Sequence, residues 1–353
     1  MNSSSTSLEK TKRFRQTRLT ALDAVQIHSE TNVSTWLSDS EIPNVEDRPL
    51  GFKPLLHKLS RPAGIAFSHH NHHTLISTSL SGTFRDPESK SKENLLVFPG
   101  SEWKNATTTP LPSKEDHRVV LRRPLVIQPH THHIVMGQTR YLTVLSEEGK
   151  PGYTVDIHGS GPAELSRRQH SVISGVECLA DGSIMAVEDN LSSVFSFTPS
   201  GLSKGKQDLR TIFRGGFEQT ESLCVVDRRY SPSGSAGSIT CVTSQKRLYC
   251  LSSLDFQPLF DFTLTTYNGP VFTYTCLGVD LNGYLIVVSK ERMKIFDPRM
   301  NFKIIHNLAV KIKDAFDLCV NDKNTLCVTE PMYDRIVIFD LSSYSFSQSL
   351  ANK

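Results

Sequence analysis

Two sets of side chains in this sequence are of types that do chemistry when gathered together. The first is basic, with aromatic neighbours: Arg61, Arg122, Arg123, Arg140, Tyr141, Arg167 and Arg168 in the first half, then Lys246, Arg247, Tyr274, Lys290, Arg292, Tyr333 and Arg335. Guanidinium groups beside exposed rings pair with phosphates and stack on splayed bases, which suits single-stranded RNA. They suit acidic or phosphorylated protein segments equally well. The second set is imidazole: His69, His70, His72 and His73, then His130, His132 and His133. Imidazoles at this density can hold a transition metal. No carboxylate stands beside them in the sequence to orient the rings. The group His70, His72, His73, His130, His132 and His133 is therefore read as hairpin tips, with no resident metal and no cofactor expected.

Whether either set converges depends on the elements that carry it, and those recur. An aliphatic run, a polar turn, a second apolar run, another turn and a strand ending in Phe or Leu repeat along the chain. The pattern runs through Pro62 to Phe67, Leu75 to Ser77 and Leu95 to Phe98, and again through Pro124 to Ile127, Ile134 to Met136 and Tyr141 to Leu145. Further copies are centred on Gly175 to Gly182, Leu223 to Asp227, Leu277 to Gly283 and Phe316 to Val320. Six imperfect repeats of about 40 to 60 residues predict an all-β fold, a six-bladed β-propeller with four-stranded antiparallel blades.

That architecture sorts the side chains onto faces. Asp181-Gly182 and Asn282-Gly283 read as two-residue primed hairpin turns between first and second strands, and these turns define a bottom face that also carries the histidines. The segment leading into each first strand and the turn between second and third strands then lie on top. The fourteen basic and aromatic residues named above fall there, with a basic arc over blades one to three.

Composition excludes several classes. The chain has 353 residues and a formal net charge of +3, too small a charge to announce a nucleic-acid binder by itself. No run of 18 apolar residues is present to span a membrane. Seven cysteines, with no Cys-x-x-Cys pair, read as small hydrophobes in strands, and Cys178, Cys224 and Cys319 are expected at one shared blade position. The start has no apolar signal core, so a cytoplasmic location is expected. Residues 1–50 read as a disordered, basic, Ser/Thr-rich arm and residues 51–353 as the propeller. The closing strand is left open between Leu55 to Leu59 and Tyr344 to Leu350.

The segments Pro62-Ala-Gly-Ile-Ala, Gly175-Val-Glu-Cys-Leu-Ala-Asp-Gly-Ser-Ile-Met-Ala-Val-Glu-Asp-Asn and Arg335-Ile-Val-Ile-Phe-Asp resemble the NHL repeat. The resemblance covers about residues 55 to 345 and fades in blade four, where Arg228 to Ser238 replaces the short turn. It implies a propeller whose top face is the binding surface. It also implies a link to ubiquitin-ligase pathways, where such propellers select the target. The zinc patterns of the ligase modules are absent from this sequence.

The resulting expectation is a non-catalytic scaffold that binds a protein partner or single-stranded RNA on its top face, with no membrane and no small-molecule substrate. The alternative is a calcium-dependent lactonase or esterase of six-bladed type. For it, Glu177, Glu188, Asp189, Glu221, Asp317 and Glu330 are the candidate channel acids. Against it, the Glu-Gly-Pro of that hydrolase class is replaced by Arg61-Pro62-Ala63-Gly64, and neither a nucleophile elbow nor a His-Glu-x-x-His helix is found.

Overall fold

The computed structural model describes residues 52–55, 62–78, 94–100, 106–111, 124–158, 172–189, 192–213, 219–233, 237–244, 247–264, 275–289, 291–310 and 312–341. The expected arm, residues 1–50, lies outside the described residues, as do the cations Arg61, Arg122, Arg123, Arg167, Arg168, Lys246 and Lys290, and Tyr274.

Among the described residues, twenty-four strands form six antiparallel sheets of four. Blade one is β2 (Pro62–Ser68), β3 (His73–Thr78), β4 (Asn94–Phe98) and β5 (Thr107–Pro110). Blade two is β6 (Leu125–Ile127), β7 (Ile134–Gln138), β8 (Tyr141–Leu145) and β9 (Pro151–Asp156), and blade three is β10 (Ile173–Cys178), β11 (Ile184–Glu188), β12 (Ser193–Phe197) and β13 (Ser203–Asp208). Blade four is β14 (Thr220–Val226), β15 (Ile239–Ser244), β16 (Arg247–Ser252) and β17 (Pro258–Thr263). Blade five is β18 (Cys276–Val279), β19 (Leu285–Ser289), β20 (Arg292–Asp297) and β21 (Lys303–Ala309). Blade six takes β22 (Leu318–Val320), β23 (Thr325–Glu330) and β24 (Arg335–Asp340) from the end of the chain and β1 (Phe52–Leu55) from its early part, with Phe52 opposite Phe339 and Leu55 opposite Ile336. An N-terminal strand closes the ring, but as Phe52–Leu55 rather than Leu55 to Leu59; residues 56–59 and Tyr344 to Leu350 lie outside the described residues. The inner strands β2, β6, β10, β14, β18 and β22 touch in sequence, and β22 returns to β2, closing the ring.

The inner sheets are buried on both faces, and the alternation of a strand assigns each side chain to one neighbouring blade. In β11, Ile184 and Ala186 pack with Val135 and Leu142 of blade two, while Met185 and Val187 pack with Val242 and Tyr249 of blade four. β19 repeats this: Leu285 and Val287 face blade four, Ile286 and Val288 face blade six. Each such fully buried Val, Leu, Ile or Met side chain contributes roughly 1.5–3 kcal/mol. The continuous apolar runs in the sequence follow directly, because neither face of these strands meets water.

Two local expectations are corrected. The first hairpin turns are not primed pairs, since only Gly182 and Gly283 have positive φ, each +82°. Asp181 and Asp280 instead fold the loops with their side chains: Asp181 Oδ1 accepts from Ser183 N at 2.9 Å, and Asp280 Oδ1 accepts from Asn282 N at 2.9 Å and Tyr284 N at 2.8 Å. In blades one, two and six the left-handed place in this turn is held by His72, His132 and Asn324, with φ of 58°, 56° and 54°. His and Asn are among the side chains that tolerate it. The cysteines do not share one position either. Cys178 is the last paired residue of its hairpin and packs toward blade two, whereas Cys319 precedes the last pair and packs toward blade one. A one-residue offset in a strand reverses the face.

Blade four keeps its four strands despite the altered turn. Asp227 caps a short 3-10 turn, Arg228–Tyr230, and Tyr230 lies over Gly283 of blade five with its hydroxyl donating to the Leu281 carbonyl at 3.3 Å.

Candidate functional site

The top of blade six is the best-formed candidate for recognition. Strand β23 ends at Glu330, whose side chain is fully buried, and the chain turns through Pro331–Tyr333 and a left-handed Asp334 into Arg335. A buried carboxylate needs partners, and here they are three. Arg335 Nε donates to Oε2 at 2.5 Å, and the backbone N–H groups of Lys313 and Asp314 donate to Oε1 at 2.6 and 3.1 Å. Glu330 thereby fixes the two segments that carry cations. The Arg335 guanidinium lies 5.3 Å from the Tyr333 ring centroid and the Lys313 ammonium 5.1 Å from it, both within cation–π range. Tyr333 is 46% exposed and Met332 69% exposed. The result is an apolar tip, Met332-Tyr333, flanked by two positioned cations.

The other described cations of the top face are arranged differently. Arg140 pairs with Asp156 at 2.9 Å and lies 5.0 Å over Tyr141. Arg247 pairs with Asp261 and lies 5.9 Å over Tyr249. Arg292 begins β20 on the exposed rim. The sequence does not show the partners of Arg140 and Arg247, Asp156 and Asp261, which stand on the neighbouring fourth strands. Sheet register supplies them: Tyr141 is opposite Asp156 and Tyr249 opposite Asp261. Lys313 and Met332 are missed too, the first because it becomes a neighbour of Tyr333 only through Glu330. Of the cations expected on this face, Arg335 is brought together with Tyr333, and Arg140 with Tyr141.

Further buried polar contacts join blades at the same end. His158, after β9, meets Glu188 at the end of β11 at 3.1 Å, and both side chains are buried. Thr220 at the start of β14 donates to the Glu188 carbonyl, linking blades three and four.

On the bottom face the two histidine turns do meet. The His70 and His132 rings stack with centroids 4.0 Å apart and planes 11° from parallel. A carboxylate also reaches them, from blade six: Asp322 Oδ2 lies 2.7 Å from His72 Nδ1. His130 Nε2 contacts the Ala180 carbonyl oxygen of blade three at 2.6 Å, so these rings bridge four consecutive blades. Burial lowers the pKa of His69, opposed by the charge of Asp322. Among the described residues no three His, Cys, Asp or Glu side chains converge to hold a metal ion together.

The geometry defines a six-bladed propeller of four-stranded blades, and the solved structures similar in fold include a β-propeller. The WD40 β-propeller domain of Doa1 superposes with a TM-score of 0.51 at 10% identity, over 78% of this chain and 77% of that one. A streptogramin B lyase superposes with a TM-score of 0.51 at 12% identity, over 83% and 87%. These likenesses are likenesses of fold. No protein-family profile matches the chain, and no curated protein matches its sequence. Among the described residues no helix is long and apolar enough to cross a membrane.

Proposed function

We propose that this chain is a non-catalytic recognition module, an NHL-like propeller whose top face takes a protein segment, with the Met332-Tyr333 tip of blade six as its anchor. The observation that carries this reading is the buried Glu330, which holds Arg335 and the Lys313 backbone so that both cations flank an exposed tyrosine. Exposed aromatic, Met and Arg side chains held in fixed positions are the composition of interface anchors. The partner segment carries a carboxylate or phosphate for Lys313, Arg335 being paired with Glu330, and an apolar group for Met332 and Tyr333. A role in selecting targets for a ubiquitin-ligase pathway is consistent with such a face. So is a cytoplasmic setting, supported by seven unbridged thiols.

Protein is favoured over RNA because Arg140 and Arg247, which would meet phosphates, are already engaged by Asp156 and Asp261. Hydrolysis is disfavoured because acids that a calcium site would draw on are committed elsewhere. Glu330 is held by Arg335 and two backbone N–H groups, Glu188 faces His158, and Asp317 accepts from Ile65 and Leu318.

The test is selection of peptides from a displayed library on the full chain at about 0.15 M salt, where long-range steering is screened, with a random RNA pool in parallel. An acidic or phosphorylated peptide motif whose binding falls at least tenfold in Tyr333→Ala is the expected result. An RNA motif without a peptide motif would assign the face to RNA instead, and peptide binding unaffected by Tyr333→Ala would remove blade six as the anchor.

A further inference from the structure

A separate feature lies on the axis of the ring. Five of the six inner strands, β2, β6, β10, β18 and β22, border a cavity of about 530 Å³. Its size falls within the range of small-molecule pockets. Its lining residues are mostly aliphatic and aromatic, Phe67, Ile127, Val279, Leu318 and Val320 among them, but the surface is shared about equally between polar and apolar atoms, with Ser68 and Gln128 contributing and His69, His70 and His132 at the bottom end.

Among the described residues, one carboxyl group borders this cavity, that of Glu177 in β10. Its place in the blade makes it unusual. In the hairpins of blades two, three, five and six, the residue before the last paired one is Val126, Glu177, Gly278 and Cys319. Three blades use a small or apolar residue there, and blade three uses an acid. Glu177 Oε1 accepts from the N–H of the adjacent Cys178 at 2.9 Å. Asp317, the acid across the channel, is by contrast spent on structure, accepting from the backbone N–H groups of Ile65 and Leu318. Packing alone therefore does not call for a carboxyl at position 177. A carboxylate bordered by apolar groups is costly without a cation.

We propose that the cavity binds a small apolar amine, its ammonium group pairing with the Glu177 carboxylate and its hydrocarbon body lying against the wall, admitted from the bottom face past His70 and His132. The chemistry selects this class. A hard metal cation requires six or more oxygen ligands or water retained in their place, and the side chains of this wall offer only one carboxyl group and the oxygens of Ser68 and Gln128. An anion is repelled by Glu177, and a neutral hydrocarbon leaves the carboxylate unpaired. This departs from the expectation that no small molecule is bound, and it is independent of the top-face reading.

The experiment is calorimetric titration of the full chain at about pH 8, where amines of this kind are protonated and a carboxyl of this sort is ionised. The probes are 1-adamantylamine and phenethylamine, with 1-adamantanol and phenethyl alcohol as neutral counterparts. Saturable one-to-one binding of at least one amine, at least tenfold tighter than its alcohol and lost in Glu177→Gln, is expected. Glu177→Gln preserves shape, and its circular dichroism and melting curve establish that it is folded. Val279→Trp, which adds bulk at a residue bordering the cavity, should weaken amine binding at least tenfold in a folded variant with Glu177 in place. No saturable binding by either amine, equal binding of amine and alcohol, or undiminished binding to folded Glu177→Gln would each overturn the proposal.

Discussion

Asp317 Oδ2 accepts the backbone N–H of Ile65 at 3.0 Å, a contact between residues 252 positions apart that ties the inner strand of blade six to that of blade one. A side chain in blade four makes the same kind of link, with Ser222 Oγ accepting from Leu277 N of blade five at 3.1 Å. The Asp317 contact falls where the ring closes, beside the pairing of β1 with β24. Ring closure is thus secured both at the axis and at the rim.

Asp317→Ala should destabilise the propeller by about 1–3 kcal/mol, because it leaves the Ile65 and Leu318 N–H groups without their acceptor. Asp317→Asn, which keeps an acceptor oxygen, should lose less. Urea unfolding of the two variants checks this, and equal losses would mean that the charge rather than the acceptor matters.

Glu330→Gln and Tyr333→Ala should separate stability from recognition. Weakening the bonds of a buried, paired carboxylate is expected to cost about 1–3 kcal/mol, less than for a fully buried pair because the Arg335 left behind is partly exposed. Truncating the half-exposed Tyr333 is expected to move stability by no more than about 0.5 kcal/mol. Thermal or urea unfolding measures both, and a large loss in Tyr333→Ala would make the ring a packing element.

Glu177 gives a pH signature of defined sign. Burial pushes its pKa up to about 7, the N–H bond from Cys178 opposes this, and the charge of Asp317 adds to it. Cys178 beside it and Cys224 of blade four also face it, and His69, His70 and His132 border the same cavity. With a folded pKa above the unfolded one, the native state holds the extra proton between about pH 4.5 and 7. Its contribution to stability is full below that window and is lost as pH rises through it. The difference amounts to on the order of 3 kcal/mol. Glu177→Gln should therefore match the parent near pH 4 and exceed its stability near pH 8. Parallel pH profiles for the two proteins would contradict the assignment.

Gly283→Ala should cost roughly 1–3 kcal/mol from two sources. The residue sits at φ +82°, and a Cβ there would run into the Tyr230 ring. In a Tyr230→Ala background the steric part should disappear while the backbone part remains, so a double-mutant cycle should show coupling between the two positions. Strict additivity would mean that the ring moves aside freely.

The sequence by itself determined the number of blades and their inner three strands. Segments such as Ile184 to Val187 and Leu285 to Val288 are buried on both faces whatever lies beside them, so their apolar runs are a local property of the chain. The outer strands were not legible. Ser203–Asp208 is polar and largely exposed, and it becomes a strand because β12 offers it an edge. The choice of closing strand and its bounds, the Asp156 and Asp261 partners of Arg140 and Arg247, and the Asp322 contact to His72 were equally hidden. Each joins residues brought together by sheet register or by closure of the ring, over separations that no local pattern encodes. The same holds for Glu177: its acid is plain in the sequence, but only the convergence of five inner strands places it beside a cavity.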